Sequence, residues 1–123
     1  MDILINNTSE IPIYRQIKDQ IKDAIYTGQI KEGEILPSIR KLANETMVSV
    51  LTTKRAYDEL EAEGYVNSVP GKGFFVSSTN MELFREEKLR LVESKLLEAY
   101  ETGQSAGLTK EEMLEMMSIL YES

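Results

Sequence analysis

Apolar residues first recur at three- and four-residue steps at Ile13, Ile17, Ile21 and Ala24, with Ile25 beside them, and this spacing predicts an amphipathic helix. Pro12 suits its first turn, where a missing N–H leaves no hydrogen bond unmade, and Gly28 predicts its end. Lys31-Glu32-Gly33-Glu34-Ile35-Leu36 reads as a turn running into a short extended piece, which Pro37 breaks. Ser38 then caps a short second helix expected to reach Glu45, with Ile39, Leu42 and Ala43 facing inward. After the tight connection Thr46-Met47-Val48, Ser49 caps a third helix, accepting the N–H of Thr52. Its buried stripe is Ala56, Tyr57 and Leu60, and Gly64 ends it after Glu63. Two short helices joined by about three residues form a helix-turn-helix pattern.

Beyond Gly64 the period changes. Tyr65-Val66-Asn67-Ser68-Val69 and Phe74-Phe75-Val76-Ser77 are rich in β-branched and aromatic residues, and Pro70-Gly71-Lys72-Gly73 separates them. That predicts a β-hairpin with a glycine-rich tip, placed as a wing directly after the helix pair. From Met81 to Thr102 helical spacing returns through Met81, Phe84, Leu89, Val92, Leu96 and Ala99, and Gly103 is expected to stop this helix. Gln104-Ser105-Ala106-Gly107 reads as a loop. Thr109 with Glu112 predicts a capping box, opening a last helix with Met113, Met116, Met117 and Leu120 on one face. The expected fold class is mainly α with a small β-hairpin wing. Residues 1–78 form a winged helix-turn-helix and residues 79–123 a C-terminal helical tail.

Composition narrows the chemistry. The 123 residues include no cysteine and no histidine, so disulfides, thiolate metal sites and the commonest general base are excluded, and neither a metal nor another cofactor is expected. Carboxylate pairs such as Glu86-Glu87 and Glu111-Glu112 fall on solvated helix positions with no phosphate-cradling loop beside them, so the reading is non-enzymatic. No apolar run is long enough for a membrane span, and MDILINNTSE lacks the pattern of a secretion signal, so a cytoplasmic location and no membrane partner are expected.

The formal net charge of −7 speaks against nucleic acid until it is resolved along the chain. Residues 1–78 carry nine Lys/Arg against eleven Asp/Glu, and residues 79–123 carry five against ten. Within Ser38–Arg55, however, Arg40, Lys41, Lys54 and Arg55 face only Glu45, a local balance of +3. Phosphate attraction acts over about one Debye length, ~8–10 Å, so the local patch decides.

A recognition helix lays its N-terminal residues in the major groove. Ser49, Thr52 and Thr53 offer small hydroxyls to bases or phosphates there, and Lys54 and Arg55 offer charge. Each hydroxyl taken alone is more often a cap or a plainly solvated group. At the wing, Gly71 and Gly73 let backbone approach DNA and Lys72 can reach a phosphate, although any tight hairpin needs such glycines.

Four pieces occur in one order: Gly33-Glu34-Ile35-Leu36-Pro37-Ser38-Ile39-Arg40-Lys41-Leu42-Ala43, Val48-Ser49, Leu60-Glu61-Ala62-Glu63-Gly64-Tyr65 and Gly71-Lys72-Gly73-Phe74-Phe75-Val76. Together, over about residues 10–78, they resemble the GntR family of bacterial regulators. The short tail and the run Val48–Tyr57 resemble its YtrA-type branch, which lacks a large effector domain. The resemblance implies DNA contacts at Arg40, at Ser49, Val50, Thr52 and Lys54, and at Gly71; Ser38, which caps the second helix, is assigned to the same DNA-binding set. Two positions depart from the common pattern: Ile39 where many members have Glu, and Val50 where many have a basic residue. Valine cannot bond guanine, so base reading at Val50 is apolar, as to a thymine methyl, or absent.

The expected function is a DNA-binding transcriptional regulator, a repressor, seated as a homodimer on a palindromic operator in double-stranded DNA. Its dimer interface is assigned to Phe84, Leu89, Val92, Leu96, Met113, Met116, Met117 and Leu120. The tail is too small for an independent ligand-binding domain; an unknown small-molecule effector at the dimer interface stays open. The alternative is a winged helix kept for protein–protein contact, against which the cations Arg40, Lys54 and Lys72 speak.

Overall fold

A computed structural model of the protein describes residues 1–78 and 81–123. The side chain of Met81, first in the predicted stripe of the long helix, and the predicted start of the second region at residue 79 lie outside the described residues. The elements run α1 (Ile13–Tyr26), α2 (Ile39–Thr46), α3 (Val50–Ala62), β1 (Val66–Val69), β2 (Gly73–Val76), α4 (Met81–Ser105) and α5 (Lys110–Glu122). Two compact units result, Met1–Glu82 and Leu83–Ser123.

In the first unit, Pro12 precedes α1 and its carbonyl accepts the N–H groups of Arg15 and Gln16 at 3.0 and 3.1 Å. The isoleucine stripe is the core: Ile17 and Ile21 are fully buried, with Ala24 and Ile25 close behind. These pack α1 against α3, whose buried face is Thr53, Ala56, Tyr57 and Leu60. Gly28, at φ +79°, turns the chain out of α1 as expected.

Between α2 and α3 the chain reverses on Met47, the one non-glycine residue with positive φ (58°) among those described. Its left-handed conformation is a C-terminal helix cap, and the Val48 N–H returns to the Ala43 carbonyl at 3.0 Å. Tyr57 then ties α3 to the start of α2. Its hydroxyl donates to the Pro37 carbonyl at 2.7 Å, and its ring meets Phe74 edge-on at 5.1 Å.

The hairpin pairs Val66 with Val76 and Val69 with Gly73. The Lys72 N–H reaches the Val69 carbonyl at 2.9 Å, and Gly71 at φ +77° follows Pro70, the arrangement of a type II turn. Ile35 bridges to Phe75, and the Leu36 N–H donates to the Phe74 carbonyl at 2.8 Å. The extended piece before Pro37 is thus a third, minimal strand beside the wing.

In the second unit, one expectation fails. The long helix passes through Gly103 and ends at Ser105, and Gly107, at φ +73°, makes the left-handed stop. Leu108 N–H and Gly107 N–H return to the carbonyls of Gly103 and Gln104 at 2.9 and 3.1 Å. Gly103 has a packing role instead: a Cβ there would lie 2.8 Å from the Met113 sulfur, so its bare backbone lets α5 approach. The capping box of α5 is complete, with Thr109 N–H to Glu112 Oε1 at 2.9 Å and Glu112 N–H to Thr109 Oγ1 at 3.2 Å.

Candidate nucleic-acid interface

The predicted DNA-facing residues gather where α2 and α3 begin and at the tip of the wing. Ser38 caps α2, its Oγ accepting the Lys41 N–H at 3.1 Å. Arg40 and Lys41 follow in the first turn, both exposed, and neither has an ion-pair partner among the described residues. The same holds for Lys72 at the wing tip.

Ser49 caps α3 as the spacing predicts. Its Oγ accepts the Thr52 N–H at 3.1 Å and donates to Thr52 Oγ1 at 2.8 Å. Both hydroxyls are thereby partly committed to each other. Thr53 departs from expectation: it is 0% exposed, and its hydroxyl donates to the Ser49 carbonyl one turn back at 3.1 Å. A threonine hydroxyl satisfied this way can sit in a core at little cost, and Thr53 shares the inward face with Ala56 and Tyr57, so it is withdrawn from the DNA-facing set.

Leu51, two residues earlier and absent from the predicted set, is instead the most exposed apolar residue of α3. At 3.6 residues per turn it falls about 170° around α3 from the centre of the buried face, and it is 79% exposed. The signal was available: once Ala56, Tyr57 and Leu60 define the inward face, Leu51 points the other way. Val50 beside it is 47% exposed.

The cations of α3 are already engaged. Lys54 Nζ pairs with Asp58 at 2.6 Å, and Arg55 pairs with Glu59 at 3.2 Å while its guanidinium stacks 3.7 Å above the Tyr14 ring. Further along, the carboxylates meet donors of their own unit: Lys18 contacts Glu59 and Glu63 at 2.9 and 2.8 Å, Lys22 contacts Glu63 at 2.9 Å, and Glu61 accepts the Ser68 N–H at 2.6 Å. These bonds leave their mark on proton affinity. Burial opposes the Lys18 charge, but the hydrogen bonds to Glu63 and Glu59 outweigh it and raise its pKa. Glu59 is held below the usual carboxylate value by its bond to Lys18 first; for Glu63, burial pushes upward and the bonds to Lys18 and Lys22 prevail. The acidity of α3 is thus met within the fold, at the end opposite the Ser49 cap.

At the wing, Gly73 is required by the fold itself. Its φ is +129° and a Cβ would meet Ile35 Cδ1 at 3.2 Å. Gly71 has open space around its Cα, so only its positive φ restricts it.

Residues 13–76 match the family described as bacterial regulatory proteins, gntR family. The HTH-type transcriptional repressor YtrA of Bacillus subtilis is 33% identical over 113 residues, covering 92% of this chain and 87% of its own. A longer B. subtilis protein, the uncharacterized HTH-type transcriptional regulator YdeL, is 44% identical over 77 residues, but those are only 17% of its length. Among solved structures, a GntR family transcriptional regulator from Listeria monocytogenes superposes with a TM-score of 0.76 at 26% identity, covering 93% of this chain and 97% of that one. AraR(DBD) in complex with operator ORX1 superposes with a TM-score of 0.56 at 31% identity, over 60% of this chain and 94% of that one. With the two-helix motif, the wing and near full-length similarity to a short relative, the chain belongs to the GntR family of bacterial regulators, in its YtrA-type branch.

Proposed function

We propose that this DNA-binding regulator acts as a repressor, seating as a homodimer on a palindromic operator with one α3 in each half-site. The observation that carries the DNA contact is the trio Arg40, Lys41 and Lys72: exposed cations without ion-pair partners among the described residues, on the two elements that flank α3 in the chain. The relatives support it, since YtrA is named a repressor and AraR(DBD) is bound to an operator. Three exposed cations so placed match a phosphate backbone, which favours DNA over a protein as the partner.

The dimer reading rests on the second unit. Leu89, Val92, Leu96, Met116, Met117 and Leu120 are all at least 40% exposed, and Leu91, Leu97, Tyr100, Leu114 and Ile119 add to them. Exposed apolar surface of this extent on two helices marks an interaction site. Of the other two assigned residues, Phe84 is already buried within the single chain and Met113 is half-buried beside Gly103. Two reading heads about 34 Å apart match one turn of DNA.

Fluorescence anisotropy with duplexes from the chain's own promoter region tests the function. Binding is expected to weaken with salt, and Arg40→Ala to cost about tenfold or more and to lower the salt slope by about 1. Lys54→Ala should cost less, because its ammonium already pairs with Asp58. Both variants should melt like the parent. Light scattering should give twice the 14.0 kDa chain mass, and Leu96→Glu with Leu120→Glu should halve it. A folded protein that shifts no duplex at any salt refutes the regulator reading; a monomer that still binds the palindrome refutes the dimer.

A further inference from the structure

Three exposed apolar side chains lie within five residues at the head of α3: Met47 at 93%, Val50 at 47% and Leu51 at 79% exposure. Single exposed apolar residues are common on protein surfaces. Here, however, they occupy the turn and first turn that a helix-turn-helix presents to base edges. The polar groups nearby are partly engaged, with the Ser49 hydroxyl bonded to that of Thr52, Thr53 buried and Lys54 paired with Asp58. Exposed hydrocarbon is therefore a large part of what the head of α3 offers a base. In the major groove a base edge has one apolar group to match, the C5-methyl of thymine. Arg40 and Lys41 on α2 and Lys72 at the wing tip give the same unit exposed positive charge that a phosphate backbone matches, which favours DNA over a protein as the occupant.

We infer that α3 reads thymine methyl groups, with Leu51 and Val50 as the specificity-determining residues and Met47 filling in beside them. The inference rests on the DNA-binding reading above and adds the chemistry of recognition. It implies half-sites whose central positions tolerate other bases poorly because a methyl group is missing, not because a hydrogen bond is.

Deoxyuridine in place of thymidine removes that methyl and keeps every hydrogen-bonding group, so it isolates the proposed contact. Duplexes are first selected from a random-sequence pool with the full chain. Single deoxyuridine replacements in the selected site are then titrated against wild type and Leu51→Ala, Val50→Ala and Met47→Ala. At one or more thymines the replacement should weaken wild-type binding about fourfold, the worth of one buried methyl group. Leu51→Ala should bind the parent site more weakly and lose that penalty at the thymine it touches; such loss of coupling is what separates contact from a general effect on duplex stiffness. Penalties below twofold at every thymine overturn the inference while leaving DNA binding intact. So does a penalty of equal size in wild type and all three variants. Absence of any duplex binding by a folded chain removes the DNA reading and this inference with it.

Discussion

Tyr57→Phe deletes a single oxygen from the centre of the first unit and leaves every carbon in place. The ring is fully buried and keeps its edge-on contact with Phe74 at 5.1 Å. What disappears is the bond of 2.7 Å from the hydroxyl to the Pro37 carbonyl, which ties α3 to the residue preceding the Ser38 cap. That carbonyl receives no other hydrogen bond from the described residues and is part-buried, so it is left short of a donor. Leaving such a group unsatisfied costs about 1–2 kcal/mol. In a unit of the size of Met1–Glu82, each kcal/mol moves the melting temperature by roughly 4–8 °C. Thermal melts followed by circular dichroism should therefore place Tyr57→Phe below wild type by roughly 5–15 °C at pH 7.

The same hydroxyl supplies an internal check by pH. Burial, and then the negative charge of Glu45, push its pKa well above the ordinary tyrosine value. The folded state therefore holds the proton more tightly than the unfolded chain. Stability from this group is fully present below the unfolded pKa, about 10, and is lost as pH rises from there through the folded value. Phenylalanine has no such proton, so the gap between wild type and Tyr57→Phe should narrow above pH 10. Equal melting temperatures at pH 7, or a gap unchanged up to pH 11, would show that the Tyr57–Pro37 bond does not hold the reading head together.

Met47→Gly should stabilise the first unit by about 0.5–1 kcal/mol, because glycine accepts the φ of 58° without the Cβ penalty; a lower melting temperature contradicts the turn geometry. Thr109→Ala opens the capping box of α5 and should cost about 1 kcal/mol, read as faster amide exchange at Glu112, whose N–H now bonds Thr109 at 3.2 Å. Toward acid, Glu59 and Glu63, both with lowered pKa, hold stability that is present above their ordinary value near 4.5 and vanishes as pH falls through their folded values. Melting temperature should be level from pH 7 to 5 and fall below about 4.5, and Glu63→Gln should lower the level and make the fall shallower.

Where local chemistry decides, the sequence is a sufficient guide. The Ile13–Ile25 stripe, the Ser38 and Ser49 caps and the Thr109/Glu112 box each depend on residues within one or two helical turns, and each forms as read. The misreadings are where distant chain decides. Gly103 and Gly107 are both plausible helix stops; the first is needed for the approach of Met113, ten residues on, and only the second turns the backbone left-handed. Ile35 pairs with Phe75, forty residues away, and no local period announces that. Thr53 is the local exception: its hydroxyl suggested a polar destination, whereas a bond to the Ser49 carbonyl one turn back frees its methyl for the core.

Exchanging Thr53 for Leu51 alters how affinity and specificity are divided in this small acidic protein. Had α3 carried free hydroxyls and free cations, one helix would have served both phosphates and bases. Instead Lys54 and Arg55 are paired along the helix, at 2.6 and 3.2 Å, while Arg40, Lys41 and Lys72 lie on other elements. Long-range attraction then belongs to α2 and the wing, and short-range discrimination to hydrocarbon at the head of α3. Charge contacts fall away with salt and methyl contacts do not. Raising salt should therefore weaken binding to all duplexes alike while the ratio between a thymine site and its deoxyuridine counterpart holds constant. A net charge of −7 is compatible with this arrangement because the carboxylates along α3 and at its end are met within the unit: Asp58 by Lys54, Glu59 by Lys18 and Arg55, Glu61 by the Ser68 N–H, and Glu63 by Lys18 and Lys22.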